Sequence, residues 1–401
     1  MDRLQLLPLE LPSTSNINNT SIKTKLSFMQ RLVLGFIILA ILGLLYIPAY
    51  HSAQGTLLGI GETSSSIVPS GGSTMGIIVA QLSGWAYNKS RDLCAYIHPK
   101  NVTSILNPVS ICSSSPNILI VICSSITNKN SRAAIRNTWA NKDSLDTLYN
   151  STVKIAFLLG LSDNETLNEE VVKENSEYND IIQESFYDTY NNLTLKSVMM
   201  LKWVTANCNQ VKYIMKTDDD MFVNVPNLVK TLQSRSPTTG TLLGSLICNA
   251  KPISDPKNKW YTPKYMYSGR TYPNYLSGTG YVMSIDVARK LYQAALATPL
   301  LHLEDVYITG LCAKKAEVRP INHNGFSYLP RKLEPCVLSE IITAHKVSIS
   351  NMYAIWEKLN VPNLPCNYQI HTERRMAILN KRSGRNIGYY TSRKKNVNKC
   401  T

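Results

Sequence analysis

The sequence predicts an α/β fold, with helices on both faces of a mainly parallel sheet, preceded by a single N-terminal transmembrane helix and a stem. Three observations predict it. The runs 118–123 (ILIVIC), 153–159 (VKIAFLL) and 211–215 (VKYIM) are almost continuously apolar, as strands buried on both faces must be. Segments with helical spacing or composition lie between or around them, at 131–139, 167–175 and 195–207. Residues 32–50 (LVLGFIILAILGLLYIPAY) form an uncharged run close to the length that spans a bilayer.

Taken in order, residues 1–31 are polar and read as a cytosolic tail. Lys23, Lys25 and Arg31 precede the 32–50 run, and no Lys or Arg follows it until Lys89. By the positive-inside rule this is a signal-anchor with the bulk of the chain on the lumenal side. The sequons at Asn88, Asn101, Asn150, Asn164 and Asn192 all lie past it. Residues 51–115 are rich in Ser, Gly and Thr, with Pro99 and Pro108 later, and read as a stem. Residues 116–366 make the main folded domain, in which Ser131 is the expected N-cap of the first helix. Residues 367–401 form a basic tail.

Of 401 residues, 44% are hydrophobic, enough for one large core and too many for a chain disordered over most of its length. The net charge is +15, but nine of those charges belong to the acid-free stretch 374–401. That concentration argues for a solvated tail rather than a nucleic-acid-binding domain. The nine cysteines include no Cys-x-x-Cys pair, which excludes a zinc ribbon or a thioredoxin-like site. An odd count leaves at least one cysteine outside intramolecular pairs.

Strands in such sheets deliver ligand sites at their carboxyl ends, and the run 211–215 leads directly into Lys216-Thr217-Asp218-Asp219-Asp220. Three adjacent carboxylates repel unless something neutralises them. Hard oxygen donors suit Mg²⁺ or Mn²⁺ shared with substrate phosphates. Glu304 and Asp305, inside the apolar segment LEDVY, offer a general base, or Asp305 an N-cap for a helix over 306–315. Arg132 and Arg136 share one helix face, where Arg geometry matches phosphate and Trp139 could stack on a base. Gly278 and Gly280 would let backbone approach a ligand closely. His323 and His345 are candidate metal ligands.

The segments SRAAIRNTW (131–139), NNLTLKS (191–197), KWVTANC (202–208), YIMKTDDDMFVN (213–224), KWYTPKYMYSGRTYPNYLSGTGYVMS (259–284), LEDVYITGLCA (303–313) and ITAHKVS (342–348) resemble, in this order and spacing, the β-1,3-galactosyltransferase and β-1,3-N-acetylglucosaminyltransferase family, related to Fringe. The resemblance covers roughly residues 116–360. It implies a GT-A-like nucleotide-sugar-binding fold and an inverting, metal-dependent glycosyltransferase that uses a UDP-sugar donor, with galactose favoured. The acceptor would be a glycan on a glycoprotein or glycolipid, and the product a β-1,3 linkage. It implies Asp220 and His345 as ligands of Mn²⁺ (or Mg²⁺). Arg132, Arg136, Lys216, Asp218, Asp219, Gly278 and Gly280 would bind the nucleotide-sugar, Asp218 near the ribose. Asp305 would be the catalytic base with Glu304 beside it. A type II Golgi membrane enzyme without nucleic-acid partners is expected. Leu276 stands where many members carry Cys, so one family disulfide is expected to be missing. The alternatives are an N-acetylglucosaminyltransferase, an inactive lectin-like or scaffolding relative, and a heparin- or nucleic-acid-binding protein driven by the basic tail.

Overall fold

The computed structural model describes residues 80–150 and 152–359. The proposed anchor at 32–50, the stem up to residue 79 and the basic tail lie outside the described residues. Among the described residues no helix is long and apolar enough to cross a membrane.

Among the described residues ten strands form: β1 (Ser104–Leu106), β2 (Ile118–Cys123), β3 (Val153–Leu161), β4 (Ile181–Tyr187), β5 (Tyr213–Asp218), β6 (Met221–Val223), β7 (Leu242–Ile247), β8 (Tyr275–Ser284), β9 (Ile321–Asn322) and β10 (Thr343–His345). Eight of them build one sheet in the order β1-β4-β3-β2-β5-β8-β7-β9, while β10 pairs with β6 in a separate ribbon. The block β4-β3-β2-β5 is parallel, as expected of apolar strands alternating with helices. Strand β8 then runs antiparallel to both β5 and β7, so the sheet is mixed.

Alternation along β2 divides the core. Leu119 and Val121 point into one apolar layer with the helices Leu193–Asn207 and Ile285–Leu296. Ile118, Ile120 and Ile122 point into the other, with Lys129–Arg136, Val225–Gln233 and Ile349–Leu359. Both faces of the sheet are therefore dry around β2, whose sequence ILIVIC carries no polar residue. Trp139 lies in the second layer at 2% exposure, so it is a core residue and has no open face for a base.

Two local expectations change. Asn128, not Ser131, stands at the N-cap of Lys129–Arg136, and its side chain makes no capping bond. The residues 80–115, expected in the stem, pack on the domain. Trp85 is 1% exposed and donates its indole N–H to the Asn191 carbonyl at 2.9 Å. Strand β1 adds to the sheet edge, the Trp203 indole donates to Asn107, and the disulfide Cys112–Cys208 joins the segment to the end of a core helix. A Ser- and Pro-rich composition hid these anchors, because the few large apolar residues are spaced irregularly. Cys248 and Cys336 are also disulfide-bonded, whereas Cys94, Cys123 and Cys312 are free thiols. Leu276 is fully buried in β8.

Trp85→Ala should therefore lower the stability of the whole domain by about 3–5 kcal/mol. Thermal unfolding of the full chain checks this, and an unchanged midpoint would return 80–115 to the stem.

Candidate active site

The Asp triplet stands where β5 ends. In register, Asp218 lies beside Cys123, the last residue of the neighbouring β2. The chain then turns through Asp219 and Asp220 into β6, whose partner β10 carries His345 opposite Met221. The site is thus assembled at the carboxyl edge of the parallel block, as the sheet rule predicts.

Each aspartate has a different setting. Asp218 Oδ1 accepts from Lys216 Nζ at 2.6 Å. Asp219 is half-buried, and its Oδ2 accepts from the Ser124 hydroxyl at 2.7 Å and the Asn128 amide at 2.9 Å. Burial pushes the Asp219 carboxyl upward, and those two donors oppose the shift. Asp220 is the most open, with its side chain 49% exposed and its Oδ2 3.5 Å from His345 Nε2. His345 Nδ1 lies 2.9 Å from the Tyr328 carbonyl, which can only accept. The proton on a neutral ring therefore belongs on Nδ1, leaving the Nε2 lone pair directed at Asp220. When the ring gains a second proton, Nε2–H faces the Asp220 carboxylate, and this charged contact raises the His345 pKa against the effect of burial.

The second carboxylate pair comes from a different element. Glu304 is buried, and its Oε1 accepts from the Tyr281 hydroxyl at 2.6 Å. Asp305 precedes a π-helical segment, Val306–Cys312. Its Oδ1 accepts from the Val306 amide at 2.8 Å and its Oδ2 from the Gly278 amide at 3.1 Å. Asp305 is thus both an N-cap and a candidate base. Burial, followed by the nearby Glu304 charge, pushes its pKa up to about 6, with the two amides and Lys216 pulling the other way.

Lys216 joins the two halves. Its buried ammonium donates to Asp218 and to the Gly278 carbonyl, each at 2.6 Å, and lies 3.7 Å from Glu304 Oε2. Burial disfavours the charge, yet Asp218 and Glu304 outweigh it and hold the group protonated. Gly278 is close-packed here: a Cβ at that position would sit 3.1 Å from Glu304 Oε2 and 3.3 Å from Asp305 Cβ. Gly280 lies within β8 opposite Thr217, and an added Cβ would meet only ordinary contacts at 3.6 Å.

Arg132 and Arg136 do share a helix face, but the donors of Arg132 are taken and Arg136 is held by two carboxylates. Arg132, 1% exposed, pairs with Glu174 at 2.6 Å. Arg136 pairs with Glu174 at 2.7 Å and grips both Asp180 oxygens at 2.8 Å. The structure gives them a supporting place rather than open phosphate contacts. Arg132 also donates to Ser124 Oγ, the hydroxyl that holds Asp219. His323 lies apart from this cluster, with its Nδ1 accepting from the Gly325 amide.

Residue-by-residue reading missed Ser124, Asn128, Glu174, Asp188 and Lys196. Lys196 is buried and donates to both Asp188 oxygens and to the Ser124 carbonyl, all within 2.8 Å. A lysine inside the apolar helix LTLKSVMMLKWVTAN, and serines directly after ILIVIC at a strand's carboxyl end, were the available signals.

Among the described residues no group of three or more His, Cys, Asp or Glu is arranged to hold a metal. Asp220 with the free Nε2 of His345 is a two-ligand set. Such a set fits Mg²⁺ or Mn²⁺, which commonly take only one or two protein ligands and complete their shell with water and substrate phosphate.

Residues 130–324 match the sequence profile of the Galactosyltransferase family. The chain is 37% identical over 266 residues to beta-1,3-galactosyltransferase 1 of Homo sapiens, covering 66% of this chain and 80% of that protein. It is 33% identical over 289 residues to UDP-GlcNAc:betaGal beta-1,3-N-acetylglucosaminyltransferase 7 of Rattus norvegicus, covering 69% and 72%. A solved glycosyltransferase involved in the glycosylation of the major capsid of PBCV-1 aligns with 60% of this chain and 98% of its own at 10% identity. Its TM-score of 0.33 is too low to carry an argument. The extent of the sequence matches does carry one: the chain belongs to the galactosyltransferase family, among the β-1,3-glycosyltransferases, and is a glycosyltransferase.

Proposed function

We propose that this enzyme moves a hexose, galactose by preference, from a UDP-sugar to a hydroxyl of a glycan on a glycoprotein or glycolipid, with inversion and in β-1,3 linkage. One observation carries the reading. A carboxylate triplet at the end of a central strand and a buried carboxylate pair on another element stand on either side of one lysine. That is a donor-binding half and a base-bearing half within one site of GT-A type. Arg132 and Lys196 act through Ser124, on the donor half.

In this reading Asp220 and His345 hold the divalent ion, and Asp218 lies toward the ribose. A bound Mn²⁺ or Mg²⁺ would neutralise the charge that develops on the departing diphosphate. Asp305 takes the proton from the acceptor hydroxyl. The oxygen attacks the anomeric carbon on the face opposite the diphosphate, the new C–O bond forms as the sugar–phosphate bond breaks, and UDP leaves with the electron pair. One displacement inverts the centre and needs no enzyme nucleophile. The charge at 23–31 and the run 32–50 support a type II anchor in a Golgi membrane with this domain in the lumen. The similarity to the N-acetylglucosaminyltransferase favours UDP-N-acetylglucosamine as the second donor to test.

Asp305→Asn should reduce transfer by at least about 100-fold, the lower range for a lost general base, while UDP binding stays close to wild type. Calorimetry alongside product formation separates the two, and near-normal turnover would remove Asp305 from the role. The raised Asp305 pKa has a signed consequence. The base is ionised above about 6 and protonated below it, so kcat/KM for the acceptor should fall about tenfold per unit as pH drops below 6. A profile flat to pH 4 would contradict it. Asp220→Ala should weaken manganese-dependent UDP binding and leave metal-free binding nearly unaltered; equal manganese enhancement in both proteins would count against a ligand role.

A further inference from the structure

Two large aromatic side chains near Asp305 have no place in the mechanism above. Tyr190 and Trp260 are each 48% exposed. Aromatic residues of this size normally bury much of their area or meet a ligand. They come from distant parts of the chain and converge: Lys259 Nζ lies 4.6 Å from the Trp260 ring centre and 5.8 Å from that of Tyr190. The Tyr190–Asn192 turn leads into the helix Leu193–Asn207, whose Thr194 hydroxyl donates to the Leu301 carbonyl at 2.6 Å, four residues before Asp305, so Tyr190 lies on the Asp305 side of the cleft.

The backbone beneath both rings is pinned. Tyr190 begins a short turn, Tyr190–Asn192. There the Asn191 carbonyl accepts from the Trp85 indole, and the Asn191 and Asn192 amides donate to the Ser83 and Tyr187 carbonyls. The Trp260 amide donates to Asn258 Oδ1 at 2.9 Å, and the adjacent Tyr261 is buried with its hydroxyl on the Ala80 carbonyl. Exposed rings on a fixed backbone lose little freedom when something lies against them, which favours binding. One face of a pyranose presents C–H groups and is apolar, while its rim carries hydroxyls. An exposed aromatic surface beside the base is complementary to such a ring, and the exposed Lys259 ammonium, which lies over the indole, can donate to its rim hydroxyls.

We infer that Trp260 and Tyr190 form a stacking platform for the acceptor, and that the platform holds the second sugar of an oligosaccharide whose terminal hydroxyl lies at Asp305. The acceptor is accordingly a glycan of at least two rings. The inference rests on the transferase reading of the same site. Exposed Trp and Tyr also gather where proteins meet membrane interfaces, so the test must separate a sugar from a lipid surface.

The full-length chain in detergent is assayed with UDP-galactose and UDP-N-acetylglucosamine. The acceptors are β-galactosides and β-N-acetylglucosaminides, each as a monosaccharide and as a disaccharide. Wild type should prefer the disaccharide, and Trp260→Ala or Tyr190→Ala should cut the disaccharide-to-monosaccharide ratio of kcat/KM about tenfold, equivalent to about 1.4 kcal/mol. Tyr190→Phe, which keeps the ring, should retain most of the ratio. Tryptophan emission gives a readout independent of turnover. Trp85, Trp139 and Trp203 are buried and Trp356 packs against the second core layer, so a shift on adding the oligosaccharides without donor should vanish in Trp260→Phe and persist in Trp356→Phe. A wild type that neither binds UDP nor transfers sugar overturns the transferase reading. A wild type that transfers without disaccharide preference, or alanine variants that keep the ratio and the emission shift, overturns the platform alone. So does a Trp260→Ala defect confined to binding phosphatidylcholine vesicles.

Discussion

A buried lysine ammonium is costly unless its charge is met, and Lys216 sits at the point where this site is joined. Its three donors have few ways to be satisfied beneath the sheet edge. Asp218 and the Gly278 carbonyl accept two of them, and the Glu304 carboxylate adds its charge at 3.7 Å. Each comes from a different element: β5, β8 and the residue pair before the π-helical segment. Removing one partner would leave a buried charge uncompensated, a change that commonly costs about 3–5 kcal/mol. The antiparallel insertion of β8 next to β5 is what brings the Gly278 carbonyl within reach. The topology and the electrostatics are therefore one constraint.

A second layer steadies the triplet from behind. Ser124 gives its hydroxyl hydrogen to Asp219 and accepts from Arg132, while its carbonyl accepts from Lys196. Arg132 is fixed by Glu174, and Lys196 by Asp188. Glu174 faces two guanidinium groups, which overcome the effect of burial and hold its pKa low. Positive charge from two buried residues thus converges on one serine next to three carboxylates. In a low-dielectric setting that offsets part of the repulsion within the triplet without occupying the open side of Asp220.

The parts of this arrangement legible in the sequence were those encoded locally. The strands β2, β3 and β5 announce themselves as apolar runs, and the triplet's position after β5 follows from the sheet rule. Strand β8 does not announce itself in the same way, because Gly278 and Gly280 interrupt its apolar run, yet YLSGTGYVMS forms ten residues of strand. The arginine pair was correctly placed on one helix face but given the wrong neighbours. Its partners Glu174 and Asp180 are about 40 residues away, and nothing in a single sequence links them to Arg132 and Arg136. The same limitation applies to Asp188, whose pairing with Lys196 depends on how a strand end meets a helix. Local pattern specifies elements, whereas the sharing of buried charge is decided by their packing.

The two halves of the site are built to different tolerances. Asp305 is held by both oxygens, and Thr309 bonds its carbonyl at 2.6 Å while also bridging to Leu276 in β8. A base that removes a proton from an incoming hydroxyl needs that fixed direction, because displacement tolerates little error in approach. Asp220 instead occupies a turn between β5 and β6, half open to solvent, with His345 reaching it from a separate two-stranded ribbon and the Val347 amide bonding its carbonyl. An ion shared with a diphosphate needs ligands that can adjust as water and phosphate exchange. In the proposed mechanism the rigid half would enforce the acceptor's geometry, and the adaptable half would admit the donor and release UDP.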